Sequence, residues 1–295
     1  MSDYPFYIVM LMALGIIFAG GSRDGVAGIL SDETLLTETE GLPDYLRDRG
    51  EGVPSSMFGT YVTKGQFLVY PFYEYYNDSD TEYSPDELGY GLVQDYRGKS
   101  HAHEGLIFFG YGITDWLMIE FETAVISETI ERADDDASGM PAKIEESGLG
   151  DVEGQLRWRW MRENESQPEL FSYFETTFPL QKDKVLIGTQ DWEYKLGFGV
   201  TKGYRFGTMT VRIAGAYDRG EDETEFGEYA VEYLRKLSSR WRVYAGVEGE
   251  QDEVEAIAEA QLHLNRHMFC KFNTAFGATS KAADWAPEIG LVFSF

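Results

Sequence analysis

The sequence is poor in cysteine and in basic residues, and each shortage excludes a class of protein. Cys270 is the only cysteine in 295 residues, so the chain by itself forms neither an intramolecular disulfide bond nor a thiolate metal cluster. Lysine and arginine together number 25, against 51 aspartate and glutamate residues, which gives a formal net charge of -26. Because affinity for nucleic acid depends on basic side chains that neutralise phosphates, this balance argues against a DNA or RNA partner.

Long apolar runs are also scarce, and the most prominent is the stretch from Ile8 to Ala19. A transmembrane helix needs about 20 apolar residues, so this run is too short to span a bilayer. Ala19 and Gly21 fit the pattern of a small-residue cleavage site, which predicts a secretory signal peptide over residues 1–21. A buried helix or a short membrane anchor is the alternative, since the preceding residues contain Asp3 and no basic residue.

Residues 22–63 show no regular alternation of apolar and polar side chains. The segment is acidic around Asp32 and Glu33, and glycine and proline recur in it, including Pro43 and Pro54. Such a composition favours irregular structure. We therefore predict a mostly irregular N-terminal extension, with one short helix at most, that lies in the periplasm or enters a barrel lumen as a plug.

From Gly65 onward the chain alternates with a period of two, which is typical of half-buried β-strands. In residues 152–160, for example, Val, Leu and Trp side chains fall on one face and Glu and Arg side chains on the other. Most such segments have the ~9–11 residues that cross a bilayer at the tilt of barrel strands. About twelve are predicted, an even number that suits a bacterial barrel, near residues 65–77, 92–111, 116–130, 149–163, 169–180, 191–202, 208–218, 225–236, 241–251, 253–264, 268–278 and 286–295.

The connections between these strands differ in length. Those after the even-numbered strands are brief, such as 112–115 and 265–267, whereas the opposite set is generally longer and very acidic, including 78–91 and 131–148. Short periplasmic turns and longer extracellular loops produce this asymmetry in outer-membrane barrels. The pattern therefore places the C-terminus of the last strand on the periplasmic side.

The last strand carries a second indication of the same class. Ile289, Leu291, Phe293 and Phe295 share one face, and an aromatic residue comes last. The strand is similar to the terminal strand by which outer-membrane barrels are recognised for assembly. Phe293 and Phe295 are thus the predicted assembly signal, and the barrel-assembly machinery is a predicted partner.

One segment resembles a known family. Gly148 to Arg159, with the sequence Gly-Leu-Gly-Asp-Val-Glu-Gly-Gln-Leu-Arg-Trp-Arg, is similar to the Gly-Asp strand motif of the outer-membrane transporters associated with meta-pathway phenol degradation. With the repeated hairpins and the final Phe295, the resemblance covers roughly residues 65–295. It implies a barrel that helps hydrophobic compounds to cross the outer membrane, although residues 41–63 have no assigned counterpart in that family.

The polar face of the strands is expected to line an enclosed lumen. Acidic side chains outnumber basic ones there, which predicts a cation-favouring conduit, because charged rings set the selectivity of pores. The alternative is that Glu–Arg and Glu–Lys pairs fill a narrow interior and hold neighbouring strands in register. The predicted lumen-lining residues are Glu120, Glu122, Glu153, Arg157, Arg159, Glu175, Lys195, Arg212, Glu232, Arg242, Glu248, Glu259 and Lys271.

Enzymatic and metal chemistry find little support in the sequence. His101 and His103 could supply two metal ligands, but no third ligand follows at a spacing that is typical of metal sites. A hydrolase needs a nucleophile within reach of a base, and no Gly-x-Ser-x-Gly element is present. We predict no catalytic site, no metal and no cofactor.

The sequence therefore predicts an all-β, transmembrane antiparallel barrel of about twelve strands over residues 64–295, located in the bacterial outer membrane and surrounded by lipid and lipopolysaccharide. The predicted function is a channel or transporter for small-molecule cargo, with hydrophobic compounds as candidates. The alternative is a non-transporting barrel that anchors the envelope or binds a partner through residues 22–63.

Overall fold

The computed structural model describes residues 42–50, 63–220, 222–251, 253–265 and 267–295. The predicted signal peptide and most of the predicted N-terminal extension lie outside these residues. The described part of the chain contains no helix that is long and apolar enough to cross a membrane.

Twelve antiparallel strands form a closed barrel, in which each strand pairs with its neighbours in sequence and the last pairs with the first. The predicted twelve-stranded antiparallel barrel is thus confirmed. The strands are β1 Phe67–Tyr83, β2 Tyr96–Gly112, β3 Leu117–Glu131, β4 Lys143–Met161, β5 Glu169–Phe178, β6 Glu193–Tyr204, β7 Gly207–Asp218, β8 Glu223–Lys236, β9 Trp241–Glu250, β10 Glu253–Asn265, β11 Met268–Gly277 and β12 Ala286–Ser294.

Large apolar side chains cover the outer surface of the barrel. Trp160, Phe198 and Ile213 are each more than half exposed, and each lies on the outward face of its strand. In water such a surface would aggregate, whereas in a bilayer it is solvated by lipid. Closure of the sheet leaves no edge of unpaired backbone groups, which hydrocarbon would not tolerate.

Two strands extend further than the alternation predicts. β1 continues to Tyr83 instead of ending near 77, and β4 begins at Lys143 instead of near 149. Both extensions lie at the same end of the barrel, where β1 remains paired with β2 across a bulge between Asp78 and Thr81. Water meets both faces of a strand beyond the bilayer, so polar residues occur on both faces and the period of two disappears.

The connections differ between the two ends of the barrel. At one end the turns 113–116, 205–206 and 237–240 are short, and at the other the longest loops are 84–95 and 179–192. We assign the end with the long loops as extracellular. Two of its six connections, after β7 and β9, are as short as the turns opposite them.

The seam between β1 and β12 closes the barrel. Leu68 pairs with Ser294, and Phe295 exchanges two backbone hydrogen bonds with Phe67, of 2.8 and 3.0 Å. The ladder is interrupted at Pro71, which has no backbone N–H to donate. Phe293 faces outward, toward lipid, together with Ile289 and Leu291.

Candidate functional site in the barrel interior

All thirteen residues predicted to line the lumen face the barrel interior. Four of them are buried in its periplasmic half, namely Arg159, Arg212, Glu232 and Arg242. The other nine border a cavity nearer the extracellular end, namely Glu120, Glu122, Glu153, Arg157, Glu175, Lys195, Glu248, Glu259 and Lys271. Contact with the cavity distinguishes the two groups, and burial does not, because Glu120, Arg157, Glu259 and Lys271 are buried as well.

A network of buried ion pairs fills one side of the periplasmic half. Arg212, whose side chain is 2% exposed, contacts Glu228 directly and lies 2.9 Å from Glu248 and 3.8 Å from Glu232. Tyr244 donates a hydrogen bond of 3.1 Å to the same Glu232 carboxylate. Because charges removed from water are stable only when paired, Arg212 links β7, β8 and β9 across the interior.

The other side of the periplasmic half is apolar. A compact cluster projects inward there from β1, β2, β3, β11 and β12, and its buried members are Leu68, Tyr70, Phe108, Met118, Phe269 and Val292. This apolar cluster was not predicted, because the inward face of every strand was expected to be polar. The signal was present in β1 and β2, where aromatic and aliphatic residues occur on both faces.

The described part of the N-terminal extension, residues 42–50, lies in the periplasmic mouth of the barrel. Arg49 is 7% exposed and donates from Nη2 to Glu163 Oε2 at 2.7 Å and to Glu169 Oε2 at 3.4 Å. Glu163 also accepts a hydrogen bond of 2.7 Å from the Gly203 amide. Arg49 is thus tied to the turn after β4, to β5 and, through Glu163, to the end of β6.

Asp48 attaches the 42–50 segment to the opposite wall of the mouth. It is 1% exposed, and its Oδ1 accepts a hydrogen bond of 2.9 Å from the Lys236 amide. Its backbone carbonyl accepts a 2.8 Å hydrogen bond from Nε of Arg242, and its Oδ2 lies 3.6 Å from Arg235. Two adjacent residues of opposite charge therefore connect this segment to the turn after β4 and to strands β5, β8 and β9.

Above the packed half, the described residues leave a cavity of about 480 Å³. One side of it, the apolar wall, is formed by Tyr70, Phe72, Leu106, Phe108 and Ile257. Acidic residues dominate the rest: eleven glutamates line the cavity, against the basic residues Arg157, Lys195 and Lys271. The cavity is therefore both strongly acidic and partly aromatic.

The basic residues of the cavity are already engaged. Lys271 lies 3.0 Å from Glu259 and 3.5 Å from Glu288, and its ammonium group is 4.9 Å from the centre of the Tyr70 ring. Lys195 is shared in the same way, at 3.1 Å from Glu250 and 3.5 Å from Glu175. Several glutamates are consequently left without a cation of their own.

Glu122 and Glu153 are the glutamates most clearly left without a cation of their own. They face each other directly across the β3–β4 ladder. Neither forms a hydrogen bond or an ion pair with any residue that the structure describes. Like charges placed opposite each other on a sheet repel, so this arrangement disfavours the barrel unless something in the lumen compensates it.

A second acidic depression lies at the extracellular rim. It has a volume of about 390 Å³, and its acidic members are Glu82, Glu87, Asp95, Glu250 and Glu253. Glu250 also lines the larger cavity, so the two spaces meet at this side chain. The rim depression and the cavity therefore share one acidic lining residue.

A buried cluster in the extracellular loops supports this rim. It joins the ends of β1, β2 and β3 with the loop after β3, and its buried members are Tyr83, Tyr96, Ile130, Ala133 and Met140. Tyr83 accepts a hydrogen bond from the Ala133 amide and donates one of 2.8 Å to Asp136. Burial raises the pKa of Asp136, but hydrogen bonds from Ser138 and Tyr83 outweigh it and hold the pKa below its ordinary value. This carboxylate therefore stabilises the loop until the pH falls through that lowered pKa.

Asp151, in the Gly-Asp motif, has a defined structural role. Its carboxylate accepts four hydrogen bonds from the loop after β5, from the amides of Leu180, Gln181 and Thr189 and from the Thr189 hydroxyl, at 2.6 to 3.0 Å. A carboxylate that accepts several amide N–H groups makes strong, charge-assisted hydrogen bonds. Asp151 thus fixes the long loop 179–192 to β4.

We expect the substitution Asp151→Asn to loosen this loop. An amide has one acceptor oxygen and presents an NH2 group to the remaining donors, so about 2 kcal/mol is lost, or roughly a thirtyfold rise in the open fraction. Limited trypsin digestion should cleave faster after Lys182 and Lys184. The exposed Asp134→Asn variant is the matched control, and equal cleavage rates in the two variants would contradict this role.

The histidines considered as metal ligands lie on the outside of the barrel. His101 and His103 face outward, and Nδ1 of His103 is 2.6 Å from the Tyr73 hydroxyl. His263 faces inward and stacks on Phe269, with ring centres 4.6 Å apart. Among the described residues, no group of three or more His, Cys, Asp or Glu side chains is arranged to hold a metal ion.

Comparison with known proteins bears on the fold. No protein-family profile and no curated protein matches this sequence. The structure is similar to an outer-membrane channel from Pseudomonas putida F1, with a TM-score of 0.59 and 14% identity, covering 82% of this chain and 99% of that one. It is also similar to the translocator domain of the autotransporter NalP from Neisseria meningitidis, with a TM-score of 0.51 and 10% identity, covering 80% and 91%. At such low identities the likeness shows the architecture alone: this chain has the fold of a bacterial outer-membrane β-barrel.

Proposed function

We propose that the protein is an outer-membrane channel for small molecules, closed toward the periplasm by the 42–50 segment. The observation that carries this proposal is the division of the lumen. A cavity of about 480 Å³ lies above a half that is packed with buried side chains, and Asp48 and Arg49 complete that packing at the mouth. A cavity closed at one end by a separate segment favours a conduit that opens when the segment leaves.

The attachment of the 42–50 segment suits a reversible closure. Its polar anchors are hydrogen bonds and ion pairs centred on Asp48 and Arg49. Ion pairs contribute modestly to net stability when intact, because the Coulomb attraction is offset by lost hydration. In the periplasm both partners can be rehydrated, so release of the segment costs less than exposure of an apolar plug of the same size.

The apolar wall supports the passage of molecules with a hydrophobic part. Phe72 is only partly buried and borders the cavity beside the buried rings of Tyr70 and Phe108, and an apolar solute that packs on it leaves water. The resemblance of residues 148–159 to transporters of phenol degradation points in the same direction. We include membership of that family in the proposal.

The excess of glutamates predicts selectivity for cations over anions. In planar bilayers with a KCl gradient, we expect the reversal potential of the Arg49→Ala variant, in which the mouth is open, to have the sign of K⁺ preference. Adding Glu122→Gln and Glu153→Gln should move that potential toward zero, whereas Glu131→Gln at the exposed end of β3 should leave it unchanged. A potential of the opposite sign would contradict the proposed route through the acidic cavity.

A further inference from the structure

We propose that the cavity is a binding site for organic cations, namely an amine or quaternary ammonium group attached to an aromatic or aliphatic body. This inference names a cargo class for the channel proposed above and rests on that function. Three features carry it: the apolar wall, the pair Glu122 and Glu153, and the volume between them.

The apolar wall suits a cationic solute with a hydrophobic body. The rings of Tyr70 and Phe72 are stacked, with centres 4.4 Å apart and planes inclined by 14°. Aromatic faces carry partial negative charge and attract a nearby cation. Lys271 shows this preference within the protein itself, because its ammonium group lies 4.9 Å from the Tyr70 ring centre.

The cavity has fewer cations than carboxylates, because eleven glutamates face only Arg157, Lys195 and Lys271. Glu122 and Glu153 repel each other across the ladder and have no ion-pair partner among the described residues. Beside them, Glu120 has a side chain only 5% exposed, and its Oε1 accepts no hydrogen bond in the described part of the chain, with Arg157 Nε at 3.6 Å. A cation placed between Glu122 and Glu153 would relieve a repulsion that Lys195, which attracts Glu153, only partly offsets.

Volume and composition exclude the simpler occupants. A space of about 480 Å³ lies within the ~300–1,000 Å³ range of pockets for small organic ligands. A metal ion alone would leave the aromatic wall unused, and a neutral hydrocarbon would leave the glutamates unpaired. An organic anion would be repelled by eleven glutamates. Only a molecule with both a positive charge and an apolar surface satisfies both walls.

The acidic rim provides the approach from outside. Glu82, Glu87 and Asp95 surround the outer depression, and Glu250 joins it to the cavity. A cleft lined by one sign of charge raises the local concentration of oppositely charged solutes. Cations that approach from outside therefore meet carboxylates at the rim and again in the cavity.

The test uses the full-length protein in detergent and isothermal titration calorimetry. Benzyltrimethylammonium is the cationic probe, benzyl alcohol its neutral counterpart and benzoate its anionic one. We expect benzyltrimethylammonium to bind about tenfold more tightly than benzyl alcohol, and benzoate not to bind. The double variant Glu122→Gln/Glu153→Gln should weaken binding of the cation about tenfold, and Glu131→Gln should have no effect.

A second variant separates the apolar wall from the charges. Phe72→Leu should weaken binding of benzyltrimethylammonium and leave tetramethylammonium, which has no ring, unchanged. Heat-modifiable migration on gels verifies that each variant is folded. Equal affinity for the three benzyl probes, or an unchanged affinity in the Gln double variant, would overturn the site.

The outcomes also distinguish this inference from the channel itself. If the open variant conducts KCl but no probe binds, the cargo class is wrong and the channel stands. If the probe binds but Arg49→Ala does not conduct, the cavity is a binding site in a closed barrel and the proposed channel function is wrong.

Discussion

The substitution Arg49→Ala is expected to raise the ratio of open to closed time in planar-bilayer recordings on the order of a hundredfold. Arg49 is held between Glu163 and Glu169 at 2.7 and 3.4 Å, inside the periplasmic mouth. Without Arg49, Glu163 keeps Lys202 at 3.2 Å and Glu169 keeps Arg159 at 3.4 Å, but both lose a buried, charge-assisted hydrogen-bond donor, which costs about 3 kcal/mol. That loss falls on the closed state alone, because the side chains of Arg49, Glu163 and Glu169 can be hydrated once the segment has left the mouth.

The control for this prediction is Arg205→Ala. Arg205 lies at the same end of the barrel and is 90% exposed, with Asp44 of the 42–50 segment at 3.9 Å. Exposed pairs of this kind contribute little, so its conductance should match that of the unmodified protein. If both variants stayed closed, the 42–50 segment would not be the barrier and the proposed channel function would be wrong. A barrel that only anchors the envelope would conduct in neither variant.

The substitution Arg212→Met is expected to cause the largest loss of stability, about 3–5 kcal/mol. Arg212 neutralises carboxylates from two other strands, Glu232 of β8 and Glu248 of β9, and its side chain is 2% exposed. Methionine fills much of the same volume but removes the cation from Glu232 in the packed half and from Glu228 and Glu248 at the edge of the cavity. The loss should appear as a lower midpoint of heat or urea unfolding in detergent.

Two further variants make this result interpretable. Arg97→Met removes an arginine at the extracellular rim, where Asp80 and Glu82 lie 3.3 and 3.6 Å away and the arginine side chain is 43% exposed. It should change the unfolding midpoint little. Adding Glu232→Gln to Arg212→Met should recover part of the loss, because one unpaired charge is removed. Equal midpoints for Arg212→Met and Arg97→Met would show that the interior network is not a source of stability.

The fold could be predicted because the sequence repeats one physical requirement. Each crossing strand must face lipid on one side, so residues such as Trp158 and Trp160 alternate with Arg157 and Arg159. This requirement ends at the membrane surface, which is why β4 starts six residues before its predicted start near 149. The bilayer imposes the pattern, and the pattern carries information only within the bilayer.

The interior was harder to predict because its environment is not uniform: some inward side chains pack against one another and others border a cavity. The alternation of apolar and polar residues predicts that Arg212 and Glu248 face inward. It does not show that Arg212 is packed among other side chains while Glu248 lines a cavity. That difference depends on which side chains meet across the barrel. The contacts of Arg49 with Glu163 and Glu169 span more than 110 positions of the chain, so no local pattern predicts them.

The interruption at Pro71 has a consequence for how the wall comes apart. Along β1 and β2 the ladder is nearly continuous, whereas along β1 and β12 it breaks where the proline contributes no amide. The two strands of this joint are also the most distant in sequence, so closing it carries the greatest loop-closure entropy. On heating, β1 and β12 should therefore separate first. The barrel then opens into a sheet before its hairpins come apart.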